Sequence, residues 1–149
     1  MHNPAHILLV EDSRMDIELT LDAFRERRLG NSIHVANDGQ EAMDYLNGVG
    51  PYADRDAYPL PDLILLDLKM PVMDGYEVLR RIKASPLLKR LPVVILSSSR
   101  EEGDLAMTYD TGANSYLVKP LSFDGFLDVV SKIEDYWLTL NVPPPLGTS

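Results

Sequence analysis

Five polar side chains stand directly after short apolar runs of the sequence. Glu11 and Asp12 follow residues 6–10, Asp67 follows 63–66, Ser97 follows 93–96, and Lys119 follows 116–118, with Pro120 behind it. Three carboxylates, a hydroxyl and an amine are the ingredients of an acidic phosphate or metal site. Carboxylates gathered ~5 Å apart repel by about 3 kcal/mol per pair at an effective dielectric near 20. Something cationic must offset that. Lys119 offsets part of it, and a divalent ion with hard oxygen ligands the rest. Mg²⁺ suits such a site because it keeps several waters and accepts one or two carboxylates, so it is the inferred cofactor. A single acid in this position is more often a helix cap or first-turn charge, as Asp12 before Ser13 would be. For three acids and a lysine on one rim that explanation is the weaker one.

Whether they share a rim depends on the elements that carry them. The runs His6–Val10, Ile33–Ala36, Leu63–Leu66, Val93–Leu96 and Tyr116–Val118 are apolar or alternating and are bounded by polar, Gly or Pro residues, which predicts five strands. Between and after them lie apolar residues at helical spacing: Ile17, Leu21 and Phe24; Ala42, Tyr45 and Leu46; Val78, Leu79 and Ile82; Leu105 and Tyr109; and Phe123, Phe126, Val130, Ile133 and Trp137. Strand and helix alternate five times, which calls for an α/β fold with a parallel sheet and helices on both faces. Leu63–Leu66 and Val93–Leu96 are unbroken apolar runs suited to central strands, whereas His34 marks the second strand as an edge. That pattern fits the flavodoxin-like, doubly wound (βα)5 order 2-1-3-4-5. In such sheets ligands bind beyond the carboxyl ends of the strands, which is where the five polar residues fall.

The chain has 149 residues, enough for one domain, with 45% hydrophobic and 25% charged residues. We expect a single domain over residues 1–140 and an extended Pro-rich tail over 141–149. Fourteen Lys and Arg against 23 Asp and Glu give a net charge of -9, which disfavours nucleic-acid binding. No apolar stretch approaches the ~20 residues that span a bilayer, and no signal peptide is evident, so a cytoplasmic protein is expected. Zero cysteines remove disulfides, thiolate metal sites and thiol catalysis. His2, His6 and His34 lack metal-ligand spacing.

Four motifs taken in order resemble the receiver domains of two-component response regulators: ILLVEDS at 7–13, DLILLDLKMPVMDG at 62–75, PVVILSSS at 92–99 and GANSYLVKP at 112–120. The resemblance runs from Ile7 to about Tyr136. It implies that Asp67 is the phosphoacceptor and that Asp12, Asp67 and the backbone carbonyl of Lys69 hold Mg²⁺, with Glu11 acting through a metal-bound water. It implies further that Ser97 contacts the phosphoryl group, that Lys119 pairs with it ahead of a cis Pro120, and that Tyr116 is the switch aromatic. The partner implied is a sensor histidine kinase whose phosphohistidine supplies the group. Such a protein is not an enzyme acting on external substrates; it catalyses only its own phosphorylation and dephosphorylation.

Other features are less specific. The segment Asn47–Pro61 is longer than the usual connection and reads as an insertion or mobile loop. The insertion and the extended C-terminal end resemble single-domain regulators paired with phytochrome-type kinases, which makes a red-light-sensing kinase the leading expectation. Lys69 lies two residues past Asp67, where its amine would shield a phosphoryl group from water and lengthen the life of the phosphoform. Val129, Tyr136 and Leu140 form a second apolar set on the last helix, which suggests a homodimer through the fourth helix, fifth strand and fifth helix. Asp74, Gly75 and Pro71 read as structural punctuation. Two other readings compete. A haloacid-dehalogenase-type phosphatase also uses Asp, Mg²⁺ and Lys, but its nucleophile follows the first strand. A phosphorylation-independent pseudo-receiver would not need the complete set of Glu11, Asp12, Asp67, Ser97 and Lys119.

Overall fold

The computed structural model describes residues 6–27, 32–98 and 102–135. Five strands, β1 (His6–Val10), β2 (Ser32–Ala36), β3 (Leu63–Leu66), β4 (Val93–Ser97) and β5 (Ser115–Val118), alternate with five helices. These are α1 (Arg14–Glu26), α2 (Gly39–Asn47), α3 (Gly75–Ala84), α4 (Glu102–Thr111) and α5 (Phe123–Ile133). All strand pairs are parallel, in the order β2-β1-β3-β4-β5. The expected flavodoxin-like arrangement is therefore the one formed.

Side chains along a strand alternate between faces, and the core divides accordingly. Leu8, Val10, Ile64, Leu66, Val93 and Ile95 pack with α2 and α3 on one face. Ile7, Leu9, Leu63, Leu65, Val94 and Leu96 pack with α1 and α5 on the other. Apolar residues on both faces of β1, β3 and β4 force these strands to the middle, leaving the half-buried β2 and β5 at the edges. Oxygen side chains cap four helices: Ser13 accepts from the Asp16 N–H, Asp38 from Glu41, Asp74 from Glu77 and Ser122 from Gly125. With Ser13 capping α1, Asp12 is left for other work. No helix among the described residues is long and apolar enough to cross a membrane.

Two helices differ from expectation. Leu105 and Tyr109 do not form the inner stripe of α4; they are exposed, and Thr108 is fully buried instead. Its hydroxyl donates to the Leu105 carbonyl at 2.9 Å, so a polar residue sits inside without an unmet hydrogen bond. Val129 is half-buried against the α1 and α5 side of the core, so it does not belong to a separate outward face. Trp137, Tyr136, Leu140 and the Pro-rich tail lie outside the described residues.

The 47–61 segment is an ordered insertion. A short 3-10 turn, Gly50–Tyr52, brings Tyr52 and then Tyr58 against Tyr45 and the edge residue His34. Arg55 ties it down by donating to the carbonyls of Tyr45, Leu46 and Tyr58 at 2.8, 2.6 and 3.0 Å. Two of those carbonyls belong to the last turn of α2, where a cation and its donors are favoured by the helix dipole. His34 is thus part of an aromatic cluster at the sheet edge.

Candidate functional site

The carboxyl ends of β1, β3, β4 and β5 converge, as parallel strands in this order require. Glu11 and Asp67 are buried, and Asp12 beside them is exposed. Each offers a carboxylate oxygen, and these oxygens all lie within 4.8 Å of one another. The Asp12 and Ser13 N–H groups donate to Glu11 Oε1 at 3.1 and 3.0 Å, fixing that side chain and leaving Oε2 for a cation. Lys119 supplies one: its Nζ lies 2.6 Å from Glu11 Oε2 and 3.4 Å from Asp67 Oδ2. The backbone helps to place it, because the Lys119 N–H donates to the Ser97 carbonyl at 2.8 Å. Ser97 is the last residue of β4, fully buried, in register with Val118.

The electrostatics show what the site lacks. Burial raises the Glu11 pKa to about 7, and the charge on Asp67 adds to the rise despite the Lys119 pair. Burial likewise raises Asp67, against the pull of Lys119, a hydrogen bond with Glu11 and the Lys69 N–H. Burial disfavours the Lys119 ammonium, yet hydrogen bonds to Glu11 and Asp16 outweigh it and hold the amine protonated. One lysine is therefore too little cation for the acids around it. A hard divalent ion fits this donor set, since its charge would let the carboxylates ionise together.

The loop after Asp67 is held tightly. The Gly75 N–H donates to the Leu68 carbonyl at 2.9 Å, and any Cβ on Gly75 would collide with the Asp67 carbonyl oxygen. Gly75 is thus a close-approach position that seats the start of α3 against the acidic residue. Val72 takes a left-handed φ of 67°, closed by a bond from the Met73 N–H to the Pro71 carbonyl at 2.8 Å. For a β-branched residue that backbone is strained, as happens beside functional sites.

Other expected residues fall as follows. Tyr116, in register with Ile95, is half-buried on the α2 and α3 side of the core. The Lys69 amine is turned toward α4 in this structure. It lies 4.0 Å from Asp104 Oδ2 and 5.7 Å from the centre of the Tyr76 ring, while the Tyr76 hydroxyl donates to Asp104. An acid and an aromatic face on the α4 side give the amine better partners than an already repulsive acidic pocket would give its exposed tip. The Lys119–Pro120 peptide is trans, not cis. An X–Pro bond favours trans by about 0.5–1 kcal/mol, and the trans chain already delivers Lys119 to the acids. Asp16 was missed: its Oδ2 lies 2.9 Å from Lys119 Nζ. In the sequence it looks like an ordinary acid in the first turn of a helix.

The response regulator receiver domain family matches residues 7–131 of the chain. The probable methanogenesis regulatory protein FilR2 of Methanothrix harundinacea is 40% identical over 142 residues, which cover 95% of this chain and 89% of that one. Response regulator Rcp1 of Synechocystis is 40% identical over 141 residues, 94% of each chain. Among solved structures, the phosphorylated cyanobacterial phytochrome response regulator RcpA matches with a TM-score of 0.89 and 40% identity, covering 96% of this chain and 100% of that one. The Mn²⁺-bound form of Rcp1 matches with a TM-score of 0.85 and 39% identity over 95% of this chain and 100% of that one. The family match and these relatives do not favour the dehalogenase-type alternative. With motifs, topology and relatives in agreement over nearly the whole length, the chain belongs to the response regulator receiver domain family.

Proposed function

We propose that the protein is a phosphorylation-activated signalling switch in which Asp67 accepts a phosphoryl group from the phosphohistidine of a sensor kinase. The observation that carries this reading is the convergence of Asp67 with Glu11, Asp12 and Lys119 from the ends of three strands. The ionised Asp67 oxygen attacks phosphorus while the nitrogen–phosphorus bond of the donor breaks and its electron pair returns to the imidazole. Asp12, Asp67 and the Lys69 carbonyl would hold Mg²⁺, with Glu11 acting through its water, and the ion would supply charge neutralisation for the transferred group. Lys119 contributes a second positive charge, and its long contact with Asp67 leaves it able to turn to a phosphoryl oxygen. Ser97 stands at the end of β4 to give its hydroxyl to another. New acceptors there draw the β4 end toward the phosphoryl group, and Tyr116 on the neighbouring strand is the aromatic that responds.

The kinase face is supported by three exposed apolar side chains near the acids along the chain: Met15, Val72 and Leu121, 68%, 82% and 105% exposed. We assign the partner as a phytochrome-type histidine kinase, on the strength of the insertion and of the likeness to RcpA. Incubating the protein with a panel of phosphorylated kinases is expected to label it fastest from a phytochrome-type donor. Equal transfer from all kinases would remove that pairing, and no label from any kinase or from acetyl phosphate with Mg²⁺ would favour the pseudo-receiver reading.

The α4-β5-α5 face is our candidate for self-association. Leu105 and Tyr109, one turn apart on α4, are 39% and 48% exposed and support this reading. Light scattering is expected to show a dimer at micromolar concentration, weakened by Leu105→Glu. A monomer with and without phosphorylation would refute the assignment.

A further inference from the structure

An ammonium has three N–H groups, and the placement of Lys119 divides them unequally. Glu11 Oε2 and Asp16 Oδ2 take short contacts of 2.6 and 2.9 Å, while Asp67 Oδ2 stands at 3.4 Å, beyond the usual hydrogen-bond range. Asp16 comes from a different element, the first turn of α1, and meets Lys119 across 103 residues of sequence. Its position is rigid. The Asp16 N–H donates to the capping Ser13 hydroxyl, its carbonyl accepts from Thr20 Oγ1 at 2.7 Å, and α1 buries Ala23 and Phe24 against the same core as α5.

We propose that Asp16 is a positioning residue that holds the Lys119 ammonium on the α1 side of the site, and so sets how readily that amine passes to a phosphoryl group on Asp67. The role presupposes that Asp67 is the phosphoacceptor. The physical case is a competition. A phosphoryl oxygen is a strong, charged acceptor, and for Lys119 to reach it fully one of its two short pairs must loosen. Glu11 is the poorer candidate, being 3% exposed and fixed by two backbone N–H groups. Asp16 is 21% exposed, so water reaches its carboxylate more readily than that of Glu11 when the lysine leaves. Asp16 therefore restrains the amine in the resting protein and releases it on phosphorylation.

Removing the restraint frees the amine for Asp67. Asp16→Ala is expected to raise the initial rate of labelling by subsaturating acetyl phosphate with Mg²⁺ about three- to tenfold, the scale of one partly solvated charged contact. Asp16→Asn, which keeps an acceptor for the lysine, should raise it less. Because Asp16 acts through Lys119, Asp16→Ala should leave Lys119→Ala protein unchanged, in labelling rate and in beryllofluoride binding followed by NMR, which needs no turnover. Labelling of Asp16→Ala at or below the wild-type rate would overturn the role, as would the same acceleration in the Lys119→Ala background. Wild type that takes no label on Asp67 would overturn the phosphoacceptor reading itself, a result distinct from either.

Discussion

Asp67→Asn is expected to accept no phosphoryl group from acetyl phosphate or from any phosphohistidine kinase, and at the same time to unfold at a higher temperature than wild type in EDTA. The loss follows from chemistry, because an amide oxygen is not a nucleophile toward phosphorus under these conditions. The gain follows from the site. Burial raises both Glu11 and Asp67, and the charge on Asp67 adds to the rise of Glu11, so the resting protein keeps charge where the surroundings disfavour it. Asn is nearly isosteric with Asp and removes that charge, while Lys119 keeps its shorter pairs with Glu11 and Asp16. Relief of buried like charge is worth roughly 1–2 kcal/mol here, which for a chain of this size raises Tm by about 2–8 °C. Intact-mass spectrometry after acetyl phosphate treatment and scanning calorimetry in EDTA measure the two effects. Label persisting in the variant would place the acceptor on another residue. A variant less stable than wild type without metal would show that Asp67 is held by favourable pairing rather than strained by its neighbours.

The parts of this site that were legible in the sequence are those tied to a strand end. Leu63–Leu66 is apolar at every position, so its limits and its central place could be read to the residue, and Asp67 is the first polar group beyond it. Glu11 and Ser97 are marked in the same way, although Ser97 turns out to be the last residue of β4 rather than the first beyond it. Asp16 carried no such mark. An acid three residues after a capping serine is what any helix start favours, and only folding brings Lys119 to it. The α4 face was misread because Leu105 and Tyr109 have helical spacing, whereas the buried Thr108 is a residue type that burial patterns do not flag. Arg55 escaped for another reason: its partners are backbone carbonyls at the end of α2, and carbonyls leave no trace in the order of side chains.

The same excess of buried negative charge makes stability depend on pH and on metal together. Glu11 titrates near its ordinary 4.5 in the unfolded chain and at about 7 in the folded one. Between those values the folded state binds more protons than the unfolded state, so stability falls as pH rises through the window. The Glu11 shift corresponds to a loss of about 3 kcal/mol from pH 4.5 to above 7. Asp67, also raised by burial, acts in the same sense, and His34 and Glu77 act on the raw curve as well. Burial lowers His34, so its contribution disappears as pH falls through 6.5, opposite in sense to Glu11. Glu77, drawn down to about 2 by Arg80 and Arg81, contributes stability that is lost only as pH falls below 4.5. Neither belongs to the acidic cluster, so both cancel when Tm in EDTA is subtracted from Tm at saturating Mg²⁺. Cation binding requires ionised carboxylates and supplies the charge they lack, so that difference should be near zero at pH 5 and grow to about 6–12 °C by pH 8. Glu11→Gln should flatten it, because an amide neither titrates nor repels Asp67. Thermal unfolding curves with and without Mg²⁺ that stay parallel from pH 5 to 8 would mean that the acids are already balanced without a metal, and that the cluster owes its charge state to Lys119 alone.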